Sequence, residues 1–164
     1  LKVFTIQLNT EQQEKTRASE IFKDDDYKVL SKILEPKIHF QKNSKFRFTV
    51  LGAYKDKRNI IKPEGETSIY QKIGWTINYA IPGKGRLNVG FDYINTTYKS
   101  ENTGSSPLQF EMLEGLQVGT NYTWTVRFQQ SFKNNLQANI TYDGRSSPGF
   151  KVVHTGGLQI QLLF

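Results

Sequence analysis

The chain has no cysteine and only two histidines among its 164 residues. Without thiols, neither a disulfide framework nor thiolate chemistry is available, and a cysteine-free chain is compatible with any compartment. The sequence also has no apolar run near the roughly 18 residues that a membrane-spanning helix needs, and its mean hydropathy is −0.55. These absences exclude a helical membrane span. They do not exclude a membrane β-barrel, whose strands alternate and therefore average out as polar.

Length and charge set broad limits. The chain has room for one domain with a proper core, or for part of a larger domain. Its net charge of +7 suits anionic lipid, lipopolysaccharide or nucleic acid. Since it begins at Leu1 with neither an initiator Met nor a signal-peptide pattern, we expect a mature or internal segment.

Apolar and polar residues alternate along most of the chain, which predicts β-strands. The predicted apolar faces are Phe46, Phe48, Val50, Gly52 and Tyr54; Ile69, Ile73, Trp75, Ile77 and Tyr79; Leu87, Val89, Phe91 and Tyr93; Tyr122, Trp124, Val126 and Phe128; Leu136, Ala138, Ile140 and Tyr142; and Gly156, Leu158, Ile160, Leu162 and Phe164. Each strand has roughly 9 to 13 residues, the length that crosses a bilayer at a tilt.

The connections between these strands alternate in length. Residues 41–44, 81–85 and 133–135 form short connections, whereas 55–67 and 99–119 are long and 144–150 is intermediate. Strict alternation places all the long loops at one end of the sheet. Transmembrane barrels have this asymmetry, with short periplasmic turns and longer external loops.

Two N-terminal segments complete the count. Residues 1–8 predict a strand, and 9–26, rich in Glu, Gln, Lys and Asp, predict a long outside loop or a short helix. Residues 27–41 predict another strand, weakened by Pro36 because proline removes a ladder donor. The sequence thus predicts a single domain over 1–164, with 28–164 as a seven-strand meander. The fold class is all-β: an antiparallel up-and-down transmembrane barrel of about eight strands, or the C-terminal part of a larger barrel.

The composition of the two faces favours a membrane barrel over a soluble lipocalin-like barrel that binds an apolar ligand. Polar positions on the later strands are mostly amides and hydroxyls, where a water-facing sheet would carry more Lys and Glu. The predicted lipid-facing aromatics are Phe46, Phe48, Tyr54, Trp75, Tyr79, Phe91, Tyr93, Tyr122, Trp124, Phe128 and Tyr142, and strand-end aromatics, Tyr98 included, predict a girdle at the headgroups. The predicted lumen charges are Arg86, Asp92, Arg127 and Asp143.

Few residues suggest chemistry. His39 takes the polar phase near the short-turn end, and His154 takes the apolar phase near the opposite end. Members of a hydrolytic site must lie within hydrogen-bond reach of each other. We therefore expect no enzyme, no catalytic residues, no cofactor and no metal site, and we interpret residues 24–26, three aspartates, as a solvated acidic run.

Several short motifs carry a resemblance: Glu111-Met112-Leu113-Glu114-Gly115-Leu116, Asn121-Tyr122-Thr123-Trp124, Tyr142-Asp143-Gly144-Arg145-Ser146 and His154-Thr155-Gly156-Gly157. With these the chain resembles the C-terminal region of large cell-surface proteins of Bacteroidota. The resemblance implies an outer-membrane location and a barrel architecture.

The last strand resembles the signal that the barrel-assembly machinery recognises. Its residues are Leu158, Ile160, Leu162 and Phe164, and it departs from that signal in carrying glycine at positions 156 and 157. The expected partners are outer-membrane lipid and lipopolysaccharide, the assembly machinery during insertion, and other envelope proteins that contact the long loops. Nucleic acid is not expected, because the aromatics follow the strand period instead of forming a stacking platform.

Overall fold

A computed structural model describes residues 2–18, 26–61, 65–100, 107–132 and 136–162. It is an antiparallel sheet of eight strands in chain order. The strands are β1 (Val3–Arg17), β2 (Tyr27–Asn43), β3 (Phe46–Asn59), β4 (Thr67–Ile81), β5 (Gly85–Lys99), β6 (Gly119–Ser131), β7 (Leu136–Ser146) and β8 (Val153–Leu162). One short helix, α1 (Pro107–Met112), lies between β5 and β6.

The register of the strands brings the predicted apolar faces together. Val50 pairs with Trp75, Trp75 with Phe91, and Phe91 with Trp124. Directly opposed residues share a face of the sheet. All the predicted apolar stripes in the described strands therefore form one surface, which we call the apolar face. The opposite surface is the polar face.

The sheet is open, and this differs from the predicted closure of eight strands. β1 and β8 are its two edges, and every described residue of both strands is exposed. Closure would require these edges to pair with each other or with additional strands.

Two strands extend well beyond the boundaries predicted from the sequence. Residues 9–17, predicted as a loop or short helix, continue β1 and pair with β2 as far as Arg17. Their polar sequence does not alternate, so it gives no strand signal by itself, and pairing with β2 supplies the backbone partners. Similarly, β3 continues to Asn59, which leaves a connection over 60–66 that is shorter than the predicted 55–67.

The short turns lie at one end of the sheet, as predicted. Asn43 accepts hydrogen bonds from the backbone amides of Lys45 and Phe46 at 2.9 and 3.0 Å and closes the β2–β3 turn. In the β4–β5 turn, Gly83 has a φ of 65°, a conformation that glycine adopts without steric cost. The predicted turn at 133–135 lies outside the described residues.

The buried apolar side chains lie on the polar face near the long-loop end. Helix α1 covers this region, where Leu108 and Met112 pack with Tyr27 and Val29 of β2. A second cluster joins Ala53, Tyr70 and Ile94, with Leu116 packed against it. The connection between β5 and β6 thus turns back over the sheet and supplies its main apolar contacts.

Candidate functional site

The apolar face is exposed from one edge of the sheet to the other. Phe4, Ile6 and Leu8 on β1 are 63–79% exposed, and Ile73 on the central strand β4 is 60% exposed. On β8, Leu158 and Ile160 are 67% and 65% exposed. Contiguous apolar surface of this extent is typical of sites that contact a membrane, another protein or an apolar ligand, since water-facing surfaces rarely carry it.

Aromatic rings on this face form two groups of contacts, one on β4, β5 and β6 and one on β6, β7 and β8. Phe91 lies 6.3 Å from Trp75 and 6.1 Å from Tyr122 between ring centroids. Farther along, the His154 ring lies 5.8 Å from Trp124 and stacks at 6.0 Å on Tyr142. These distances fall in the range of favourable ring pairs, so the contacts connect β4 through β8.

Gly144 makes room for one of these rings. A Cβ atom at this position would clash with the indole of Trp124. The pairing of Trp124 with Gly144 therefore lets the largest side chain of β6 lie across β7.

The height of the apolar face can be compared with the apolar band of a membrane barrel. On β4, successive positions on this face from Ile73 to Ile81 are all apolar, a stretch of roughly 26 Å at about 3.3 Å per residue. At a tilt of about 40° it would rise about 20 Å, most of the ~25 Å apolar band of a membrane barrel. Toward the long-loop end the same face becomes charged, with Lys32 opposite Asp56 and Arg58 bonded to Asp56 at 2.8 Å.

The structure places every predicted lipid-facing aromatic on the apolar face. One strand-end aromatic differs: Tyr98, predicted in the girdle, packs against the α1 cluster on the polar face. Its even position on β5 puts it in phase with Ile94, not with Tyr93. Of the predicted assembly signal, Leu158, Ile160 and Leu162 are exposed on this face, and Phe164 lies outside the described residues.

The predicted lumen charges all lie on the polar face, where Arg86 and Arg127 are neighbours, but they do not form ion pairs with one another. Asp92 is 3.9 Å from Lys72, and its carboxylate lies over Gly74, where a Cβ atom would clash with it. Among the described residues, no ion pair within 4 Å involves Arg86, Arg127 or Asp143. The open sheet imposes no requirement that they pair in a closed interior.

The segment 107–117, which we call the helical segment, is held on the polar face by ion pairs. Glu114 lies 2.7 Å from Lys55 and 2.8 Å from Lys57, and the Lys57 side chain is only 9% exposed. Burial raises the pKa of Glu114, but hydrogen bonds and charge from the two lysines outweigh it, so the net pKa lies below its ordinary value. Lys15 of β1 adds an exposed pair with Glu111 at 2.7 Å.

The end of α1 explains how Glu114 reaches those lysines. The amide of Gly115 donates to the carbonyl of Phe110, and the amide of Glu114 donates to the carbonyl of Glu111. This is the pattern of a Schellman C-cap. Glu114 occupies its left-handed position with a φ of 55°, where glycine is usual. The strained backbone thus turns the carboxylate toward β3.

Hydroxyl and amide groups hold the rest of the segment. Thr96 donates to the carbonyl of Gln117 at 2.6 Å, and Ser68 to that of Met112 at 3.4 Å. Asn121 is fully buried and both donates to Gln117 (2.7 Å) and accepts from it (3.3 Å). The segment is therefore joined to β3, β4, β5 and β6.

Sequence reasoning did not identify this docking. It predicted the long connection 99–119 as exposed surface, yet Leu108, Met112 and Leu113 are among the most buried residues. The available signal was a set of apolar residues in the polar phase, namely Tyr27, Val29, Tyr70 and Ile94. These residues require a covering group on that face.

Both histidines have hydroxyl partners. The Nδ1 atom of His39 lies 2.9 Å from Thr49 Oγ1, and that of His154 lies 2.8 Å from the Tyr142 hydroxyl. As predicted, they lie on opposite faces and toward opposite ends. Within the described ranges, no group of three or more His, Asp or Glu side chains is arranged to hold a metal ion, and no helix has the length and apolarity to cross a membrane.

Comparisons with models of protein families, with curated proteins and with solved structures find no match to this chain.

Proposed function

We propose that this chain is an integral outer-membrane β-barrel, or a segment of one, that acts as an anchor, scaffold or pore component of the cell envelope. The observation that carries the proposal is the apolar face, which runs uninterrupted across all eight strands and is exposed on each of them. A bilayer supplies the apolar environment that this surface needs. The resemblance to Bacteroidota cell-surface proteins agrees with this location.

The position of the helical segment supports this orientation of the sheet. In a soluble barrel the apolar face would form the interior, filled by side chains or an apolar ligand, and the polar face would meet water. Here the helical segment packs on the opposite, polar face. That arrangement fits a polar interior partly filled by a loop, which is common in membrane barrels.

The exposed edges define how the sheet would be completed. An unpaired strand edge in hydrocarbon leaves backbone groups without hydrogen bonds, so spanning sheets are closed. We propose that β1 and β8 are joined by further strands or by each other in the membrane. The eight strands would then form part of the barrel wall. The helical segment would lie within the barrel, near its extracellular end.

Refolding with and without lipid tests the proposal. The chain is refolded in detergent-free buffer and, separately, with phosphatidylcholine vesicles. Flotation in a density gradient then measures vesicle association, and electrophoresis of unheated and heated samples measures gel mobility. We expect folded, vesicle-associated protein with heat-dependent mobility only in the lipid sample. A folded protein that stays soluble without lipid or detergent, and shows no mobility shift, would contradict the proposal and favour a lipocalin-like barrel that binds an apolar ligand.

A further inference from the structure

The polar face carries three arginines toward its short-turn end, Arg47, Arg86 and Arg127, which we call the arginine strip. All three side chains are exposed. Arg47 and Arg127 share a cross-strand row, separated by Asn78 and Asn88. Arg86 lies diagonally beside Arg127, because Arg127 pairs with Asn88; such neighbours are about 7–8 Å apart, within reach of two long side chains.

The arginine strip lacks the carboxylate partners that lysines on the same face have. Lys37, Lys55, Lys57 and Lys72 each lie within 4 Å of a carboxylate, at 3.4, 2.7, 2.8 and 3.9 Å. Among the described residues, none of the three arginines makes such an ion pair, and Arg47 donates instead to the amide oxygen of Gln41 at 3.1 Å. Asp143, diagonal to Arg127 across the β6–β7 pair, is likewise not within ion-pair distance of it. Positive charge is therefore left uncompensated at this end.

A groove of about 470 Å³ follows this part of the face. Arg86 and Arg127 line it together with the amides of Asn78, Asn88, Gln129 and Asn139. A neighbouring groove of about 290 Å³ contains Arg47 and shares Asn78 and Arg86 with it. Guanidinium groups bind phosphate oxygens in a bidentate manner, and amide NH₂ groups add neutral donors.

We propose that the arginine strip binds the phosphate group of a small solute. Planar guanidinium groups without carboxylate partners favour an oxyanion with several acceptor oxygens, and arginine-lined walls select anions and phosphates in pores. The site lies on the face opposite the exposed apolar surface, so it is directed away from lipid headgroups that would border that surface. The choice of a solute over a lipid headgroup rests on the proposed function, whereas phosphate binding itself depends on the polar face alone.

Calorimetric titration with pyrophosphate tests the site, using the full chain refolded in a detergent that has no phosphate group. We expect binding that weakens with added salt and falls at least about tenfold in Arg86→Gln and in Arg127→Gln. Arg127→Lys keeps the charge but loses the planar fork, so its affinity should be intermediate. The matched control is Arg145→Gln, which removes an exposed arginine of the same face outside the groove and should leave the affinity unchanged.

Several results would overturn the inference: no pyrophosphate binding, unchanged affinity in both Arg86→Gln and Arg127→Gln, or an equal loss in Arg145→Gln. A second titration uses short-chain phosphatidic acid. Binding of this lipid through Arg86 and Arg127 with no competition from pyrophosphate would assign the site to a headgroup and overturn the solute assignment. Arg127→Lys preserves the charge pattern, so it keeps the test available if a glutamine variant does not fold, and an affinity equal to wild type in it would count against bidentate binding. Flotation is scored separately, so pyrophosphate binding by a chain that does not float would reject only the membrane proposal.

Discussion

The carboxylate of Glu114 lies 2.8 Å from the ammonium group of Lys57, a lysine whose side chain is almost completely buried. Glu114 also accepts a hydrogen bond from Lys55 at 2.7 Å. One carboxylate thus compensates two positive charges on β3. This contact joins the helical segment to the sheet at a point where the loss of either partner leaves charge uncompensated.

Glu114→Gln is expected to loosen the helical segment. The loss leaves Lys57 buried without a counter-ion, which we expect to cost about 1–3 kcal/mol of docking free energy. The chain has no cysteine, and Met112 is only 1% exposed, so Met112→Cys provides a single buried thiol as a reporter. Labelling of this thiol should be slow, and it should be faster when Glu114→Gln is added. Glu111→Gln is the matched control, because its pair with Lys15 is exposed and such pairs contribute only about 0–1 kcal/mol. Equal acceleration in both variants would contradict the role of Glu114.

Acid is expected to release the same segment. The pKa of Glu114 is lower in the folded protein than its ordinary value of 4.5, so its stabilising contribution is present above that value and is lost as the pH falls through the lowered pKa. Hydrogen exchange over residues 108–113, corrected for the intrinsic rate at each pH, should show protection that declines in this acidic range. Glu114→Gln should lack the transition. If protection declines identically in the wild type and in Glu114→Gln, the decline is caused by other groups.

Opposite faces of β4 should respond differently to a charge. Ile73 on the apolar face and Thr76 on the polar face both lie near the middle of the strand. If the apolar face meets lipid, Ile73→Lys should destabilise the membrane-inserted protein by about 2–4 kcal/mol, whereas Thr76→Lys should have little effect. Urea unfolding from vesicles measures both. In a water-exposed sheet Ile73→Lys would be tolerated, so equal stability of the two variants argues against lipid contact.

Gly144→Ala should displace the indole of Trp124. The added Cβ atom would overlap the ring, and overpacking of this kind typically costs about 1–3 kcal/mol. Gly156→Ala on β8 is the control, because its added Cβ would meet only the Thr141 carbonyl oxygen, at an ordinary 3.9 Å. Denaturation midpoints and tryptophan fluorescence should change in the first variant and remain near wild type in the second. Similar shifts in both would indicate a general effect of alanine at these glycines.

Asn121→Ala should destabilise the junction between the helical segment and β6. The substitution removes side-chain hydrogen bonds to the amide and carbonyl of Gln117 and to the carbonyl of Gly119 at a buried site, an expected cost of about 1–3 kcal/mol. Thr96 still donates to the Gln117 carbonyl. Asn139→Ala is the comparison, since Asn139 is only half-buried. Chemical unfolding measures the difference, and a cost no larger than that of Asn139→Ala would show that Asn121 does not hold the segment.

Local alternation was sufficient to predict which residues share a face. Trp75, Phe91 and Trp124 lie on the predicted face because strand geometry alone places alternate side chains together. The same rule placed Arg86 and Arg127 correctly on the polar face. It could not tell that these arginines lack carboxylate partners, because that depends on the register between strands.

The helical segment could not be predicted in this way. Leu108 and Met112 lie in a helix of only 6 residues, too short for helical periodicity to be recognised. Their partners Tyr27 and Val29 are far away in the sequence. Residues 9–17 were missed for a related reason. These residues form a strand because their backbone pairs with β2. Their exposed polar side chains carry no alternating pattern that would predict it.

The neighbour-only strand order has a consequence for how such sheets can change in size. Each strand pairs with the strands that precede and follow it in the chain, so no connection crosses another. A complete hairpin can be duplicated or deleted at either edge while every existing register is retained. Both ends of the meander would stay on the same side after such a change, and only the width of the sheet would grow or shrink.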